Sequence, residues 1–165
     1  MTAAATSHLD ERESTLIAGL YPSLRSFASV VAPIKEDPND LVQEALVRTL
    51  RGGPISRLEH PKAYLRTAIY HLAVSAQRHW AAERGALVRI ESAPDEPQYS
   101  WEVEELLQLS PKARTVVYLR VIEGMSHDQI AAILGCSTSS VRKTASRAKR
   151  QLRRLLSEEV NDATA

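Results

Sequence analysis

The sequence predicts an all-α protein built as two small helical domains joined by a flexible acidic linker. Three observations carry this prediction. Almost every apolar stretch recurs at three- and four-residue spacing, the period of a helix face, and strand signals are weak. Helix-start residues recur at Asp37-Pro38, at Pro61, at Ser110-Pro111, at Ser126 and at Ser137. From Gly85 to Ser100 the periodicity is lost, and the stretch includes APDEPQYS, the composition of a linker.

The composition fits this class. The 165 residues are 44% hydrophobic and 25% charged, room for one ordinary domain or two small ones. Aromatics are only 5%, so the cores must rest on Leu, Val, Ile and Ala. The single cysteine, Cys136, excludes an internal disulfide and a thiolate-rich zinc site and points to a reducing compartment. The opening MTAAATSHLDERES has no basic start followed by an apolar run. No later run reaches the ~18 apolar residues of a membrane span. A soluble, cytoplasmic chain with no membrane insertion is expected.

The elements follow in order. Leu16, Leu20, Leu24, Phe27 and Val31 form a first helical stripe, with a kink expected at Pro22. Asp37 is a candidate N-cap, Pro38 suits the first helical position and Asp40 favours the helix dipole, opening a helix to about Leu50 that Gly52-Gly53-Pro54 stops. Its inner side should be Leu41, Val42, Ala45, Leu46, Thr49 and Leu50, leaving Asp40, Gln43, Glu44 and Val47 outward. An outward valine among acidic and amide groups is an unusual solvent face but a reasonable docking face. Pro61 opens a helix to about Arg84, with Leu65, Ala68, Ile69, Leu72 and Ala76 as the inner stripe and Tyr64, Thr67, His71, Val74 and Arg78 on another face. Helical patterns resume at Trp101. The expected units are residues 9–84 and 101–157, with 85–100 as the tether.

The formal net charge of +1 hides a strong segregation. Arg142, Lys143, Arg147, Lys149, Arg150, Arg153 and Arg154 make a run of cations without an acid. Between Gly85 and Glu105, Glu91, Asp95, Glu96, Glu102, Glu104 and Glu105 face Arg89 alone. Such a split marks two surfaces with different partners, and the basic one has the footprint of nucleic-acid binding.

The strongest local signal is SHDQIAAILGCSTSSVRKTASRAKRQLRRLL. Ser126 and Gln129 have capping-box spacing. Gly135 permits a left-handed turn after the first helix, Ala131 allows close helix approach, and Val141 falls on the inner face of the second helix. This Ala–Gly–Val spacing resembles the helix-turn-helix pattern of DNA-binding proteins. At about 100° per residue, Val141, Ala145, Ala148, Leu152, Leu155 and Leu156 share a buried stripe. The seven cations, with Ser139 and Ser146, occupy the opposite side. Ser139, Ser140, Arg142, Lys143, Ser146, Arg147 and Arg150 are the candidate DNA contacts, those near the helix start facing base edges and the later ones facing phosphates. Cys136 in the turn reads as a small packed residue.

The first unit distinguishes this chain from other helix-turn-helix proteins. DPNDLVQEALVRTL followed by PKAYLRTAIYHLAVSAQRHW resembles region two of bacterial sigma factors. SPKARTVVYLRVIEGMSHDQIAAILGCSTSSVRKTASRAKRQL resembles region four. Their order and short connection are similar to the extracytoplasmic-function (ECF) group, over roughly residues 15–156. The resemblance implies that the DLVQE helix, through Asp40, Gln43, Glu44 and Val47, grips the clamp helices of core RNA polymerase. It implies that the Pro61 helix, through Tyr64, His71 and Arg78, binds the minus-ten element, with the loop from Gly52 to His60 holding a flipped base. The basic helix would read the minus-thirty-five element, and the tether would thread near the polymerase active site. The implied partners are core RNA polymerase and promoter DNA, with an anti-sigma factor as a third.

The chain departs from the usual family pattern at Tyr64, where Trp is common, at His71 for Asn, at Ser75 for Asp, and at Ser139-Ser140 for Gly-Thr. The promoter sequence therefore does not follow from the resemblance, and His71 reads more readily as a helix-surface histidine than as a base reader.

Other classes leave fewer traces. His8, His60, His71, His79 and His127 show no paired-ligand spacing, and no phosphate loop or G-x-S-x-G occurs, so no enzyme, metal or cofactor is expected. The alternatives are a helix-turn-helix regulator that binds DNA without replacing a sigma factor, and a sigma-like adaptor.

Overall fold

The computed structural model describes residues 2–86, 106 and 108–162, with side chains for 11–82, 106 and 108–154. All regular structure among the described residues is helical. Two compact units divide the chain, Met1–His79 and Trp80–Ala165. Most of the predicted tether, from residue 87 on, and the helix expected from Trp101 to residue 105 lie outside the described residues, as do the side chains of Leu155 and Leu156.

The first unit holds α1 (Thr2–Val31), α2 (Pro38–Gly52), a 3-10 turn (Ile55–Arg57) and most of α3 (Pro61–Ala86). α1 runs through Pro22 without interruption. Pro22 lies on the exposed side, where water can reach the carbonyl its ring leaves unbonded. Leu24, Phe27, Ala28 and Val31 are buried and pack the core together with Leu41, Val42, Ala45, Ile55, Leu65 and Ile69. The start of α2 is fixed as the sequence predicts. The Asp37 side chain accepts the Asn39 backbone N–H at 2.8 Å, and Pro38 takes the first helical position. Asn39 Oδ1 in turn accepts from Arg25 Nε at 3.0 Å and from the Tyr21 hydroxyl at 3.3 Å, joining α2 to α1.

Two inner-face assignments need correction. Leu50 is 41% exposed, because the helix ends at Gly52 and its last turn extends past the core. The buried face of α3 is rotated from the predicted stripe. Leu65 and Ile69 are buried, but Arg66, Tyr70 and Ala73 join them, while Ala68, Leu72 and Ala76 are only half-buried. The Arg66 guanidinium lies 5.9 Å from the Phe27 ring centroid, a cation–π geometry that lets a charged side chain occupy a core position.

The second unit contains α4 (Pro111–Val117), a π-helical turn (Tyr118–Ile122), α5 (His127–Leu134) and α6 (Thr138–Asp162). Ser110 caps α4 by accepting the Ala113 N–H at 3.3 Å. Leu109, Ala113 and Ala148 are buried together, with Leu106, Val117 and Leu152 packed against them, so α6 closes over α4.

Candidate functional site

The helix-turn-helix is assembled by local bonds readable from its residues. The Ser126 hydroxyl accepts the Gln129 N–H at 3.2 Å, and the Gln129 side chain accepts the Ser126 N–H at 2.9 Å, a complete capping box. Gly135 ends α5 at φ 61° and ψ 40°, the left-handed region that favours glycine. Ser137 starts α6 by accepting the Ser140 N–H at 3.2 Å. Ile130, Ala131, Ile133 and Leu134 of α5 are buried, as is Val141 of α6.

With Val141 and Ala148 turned inward, α6 exposes Ser139, Arg142, Lys143, Ser146, Arg147, Lys149, Arg150, Arg153 and Arg154. Ser140, named among the DNA contacts, sits differently. It is half-buried, and its hydroxyl accepts a 3.0 Å hydrogen bond from Lys112 Nζ. Lys112 was not among the predicted residues. It occupies the first turn of α4, where the helix dipole disfavours a cation, and its partner 28 residues on leaves no mark in the local spacing. The structure thus brings a further cation to the N-terminal end of the basic helix.

On the first unit, α2 buries Leu41, Val42, Ala45, Leu46 and Thr49 and turns the docking candidates outward. Asp40 and Gln43 are exposed, Val47 is 43% exposed, and Glu44 is half-buried. Glu44 accepts a 2.6 Å hydrogen bond from Arg48 Nε. Asp40 and Glu44 also border an open groove of about 280 Å³, together with Leu41, Leu72 and Ala76. The half-burial of Leu72 and Ala76 is explained by this groove.

Tyr64 is 51% exposed, and His71 and Arg78 are exposed, so the minus-ten candidates share the outward side of α3. Thr67 and Val74 are half-buried. The His71 ring meets the buried Tyr70 ring edge-on, centroids 5.7 Å apart, and that contact orients the imidazole. The loop from Gly52 to His60 is anchored by Ile55, fully buried, and leaves Ser56, Arg57, Glu59 and His60 exposed.

Comparison with known proteins places this geometry. The family model for sigma-70 region 4 matches residues 103–152, which span the helix-turn-helix and α4. An RNA polymerase sigma-E factor of Streptomyces avermitilis is 35% identical over 152 residues, covering 86% of this chain and 83% of that protein. The chain belongs to the ECF group of RNA polymerase sigma factors. This sigma factor is also similar to a sigma-E factor of Streptomyces coelicolor, at 34% identity over 86% of its length and 84% of the relative's. A ferric citrate uptake sigma factor, FecI, of Escherichia coli is 27% identical over 68% of the chain and 72% of the relative. Among solved structures, the sigma factor RpoE of Bartonella quintana, in complex with the anti-sigma factor NepR, superposes with a TM-score of 0.70 at 28% identity. That match covers 87% of this sigma factor and 96% of the other chain. No helix among the described residues is long and apolar enough to cross a membrane.

Proposed function

We propose that this ECF sigma factor divides promoter recognition between its two units, with docking to core RNA polymerase assigned to α2. As a member of its family it binds core RNA polymerase and directs promoter recognition and the start of transcription. The division of labour is our reading. Residues 9–84 are assigned to the region-two role, 101–157 to the region-four role, and 85–100 to the tether. Asp40, Gln43, Glu44 and Val47 carry docking. Tyr64, His71 and Arg78 face the minus-ten element, with the Gly52–His60 loop receiving the flipped base. Ser139, Arg142, Lys143, Ser146, Arg147 and Arg150 face the minus-thirty-five element, and Ser140 serves with Lys112 at its edge.

The observation that supports this most is the sorting of α6. Its apolar residues are turned inward, and its cations stand together on the exposed side of a helix that Ser137 caps. Cations so placed reach phosphates, and the first turns reach base edges. A helix-turn-helix regulator acting without core polymerase would not need a sigma-like first unit, and the similarity to sigma-E factors spans 86% of the chain.

The protein works without catalytic chemistry of its own, in the cytoplasm, where polymerase acts. The B. quintana complex makes an anti-sigma factor a natural third partner. Run-off transcription with purified core enzyme on genomic promoter fragments tests the reading. Transcripts that require both this chain and core are expected. Promoter binding with no dependence on core would overturn it.

A further inference from the structure

Glu13 of α1 reaches across 42 residues of sequence to the loop that precedes α3. Its carboxylate accepts the backbone N–H of Ile55 through Oε1, and that of Ser56 through Oε2 at 3.2 Å. The Ser56 side chain hydrogen-bonds to it as well. These N–H groups open the Ile55–Arg57 turn, where a helix start lacks carbonyl partners of its own. Pro54, the residue at the cap position, makes no side-chain hydrogen bond there. Glu13 therefore supplies from another helix the cap that the loop's own sequence lacks.

The same point is held from the other side. The Ile55 side chain is fully buried, so main chain and side chain are both fixed at one residue. Gly53, at φ 138°, lets the chain leave α2 in the direction this anchor requires. Partial burial opposes ionisation of Glu13, but the hydrogen bonds from Ser56 and Ile55 outweigh it and hold the carboxyl below its ordinary range. The group is thus charged at neutral pH, and its bonds are charge-assisted.

We propose that Glu13 is a positioning residue for capture of the flipped minus-ten base, fixing the backbone of the Gly52–His60 loop from beneath. The proposal rests on the assignment of that loop to the minus-ten base made above. A pocket that tells one flipped base from another needs its polar groups held in place before the base arrives. Glu13 touches no base in this scheme and acts only through Ile55 and Ser56.

The test uses the full chain bound to core polymerase and a set of single-stranded minus-ten oligonucleotides carrying each base at the flipped position. The readout is the ratio of affinities between the best and the worst base. That ratio is independent of the active fraction, so loss of folded protein cannot mimic the effect. Glu13→Ala is expected to reduce the ratio by about tenfold, the scale of a lost charged hydrogen bond, with core affinity changed by less than about twofold. Glu13→Gln keeps one acceptor oxygen and should fall between, which also guards against poor folding of the alanine variant. The inference is overturned if both Glu13 variants keep the parental ratio while the loop variant Arg57→Ala/His60→Ala loses it. If the loop variant keeps the ratio too, the loop assignment itself fails, and the role of Glu13 with it.

Discussion

Thr138 donates its hydroxyl to the Asp128 carboxylate at 2.6 Å, linking the first turn of α6 to the first turn of α5. Both residues lie outside the buried core of the helix-turn-helix, so the bond works as an external brace. The core residues Ile130, Ala131 and Val141 hold the two helices in contact. The brace restrains the angle between them, and with it the direction in which the basic helix presents its first turns.

Removing either end of this brace should have the same consequence. Asp128→Ala and Thr138→Ala are each expected to destabilise the protein by about 1 kcal/mol, the usual worth of one such bond. The double variant should cost little more than either single one, because both delete one interaction. Urea unfolding of the three variants checks this. Full additivity would show that the two residues act independently.

The caps of α5 give a second expectation. Gly135→Ala places a Cβ at φ 61° with no neighbouring atom within 4 Å, so its cost is conformational alone, about 1 kcal/mol. Ser126→Ala removes the capping hydroxyl and should cost about the same. Thermal unfolding should register both, and a neutral Gly135→Ala would show that the turn relaxes without the left-handed residue.

Docking should respond to charge on α2. The Glu44–Arg48 ion pair is open to solvent, its side chains 46% and 61% exposed, so it adds little stability and can be altered without unfolding the helix. Reversing Asp40 and Glu44 to arginine should weaken core polymerase binding by about tenfold or more if a complementary surface is met. Far-UV circular dichroism should stay unchanged. Parental affinity in both variants would remove the docking assignment.

The fold class was legible because local devices carry it. Asp37-Pro38, the Ser126–Gln129 box and Gly135 each act within a few residues, so spacing alone exposes them. The outward set Asp40, Gln43 and Val47 was legible for the same reason. What was missed depends on partners distant in sequence. An ideal helical wheel orders the residues of α3 but not the direction of its neighbours, and a few tens of degrees of rotation exchange Ala68 and Ala76 for Arg66 and Ala73. Arg66 and Arg114 are buried at 4% and 5% exposure, and an arginine such as Arg66 reads as surface until the aromatic ring that faces it is known. Glu13 against Ile55 and Ser56, and Lys112 against Ser140, pair residues 42, 43 and 28 apart with no periodic signature.

Glu13 also makes stability depend on pH. Its folded carboxyl lies below its ordinary range, so the unfolded chain binds the proton more readily. The contribution is therefore fully present above the ordinary glutamate range and fades as pH falls through the folded value. The stability gap between the parent and Glu13→Gln should be widest near neutrality and close on acidification. A gap that is constant with pH would mean that charge plays no part in holding the loop.

The final expectation concerns how the basic helix divides its work. Ser139, Arg142 and Lys143 are exposed in the first two turns of α6, where a recognition helix enters the groove. Arg147, Lys149 and Arg150 come later, where the helix rises toward the backbone. Arg142→Ala should cost roughly 1–3 kcal/mol on the preferred sequence and relax preference at one base position. Arg150→Ala should instead weaken binding to all sequences and reduce the salt slope by about one unit, as loss of a phosphate contact does. Lys112, tied to Ser140 at the start of the helix, provides an internal comparison. If its role is to hold Ser140 in place, Lys112→Met should shift preference at the position next to the one that Arg142 reads. If it meets a phosphate, only the salt slope should change. A promoter-library binding assay at several salt concentrations separates these outcomes. Unchanged base preference in Arg142→Ala, or a single-position change in Arg150→Ala, would refute the division while leaving the sigma-factor role intact.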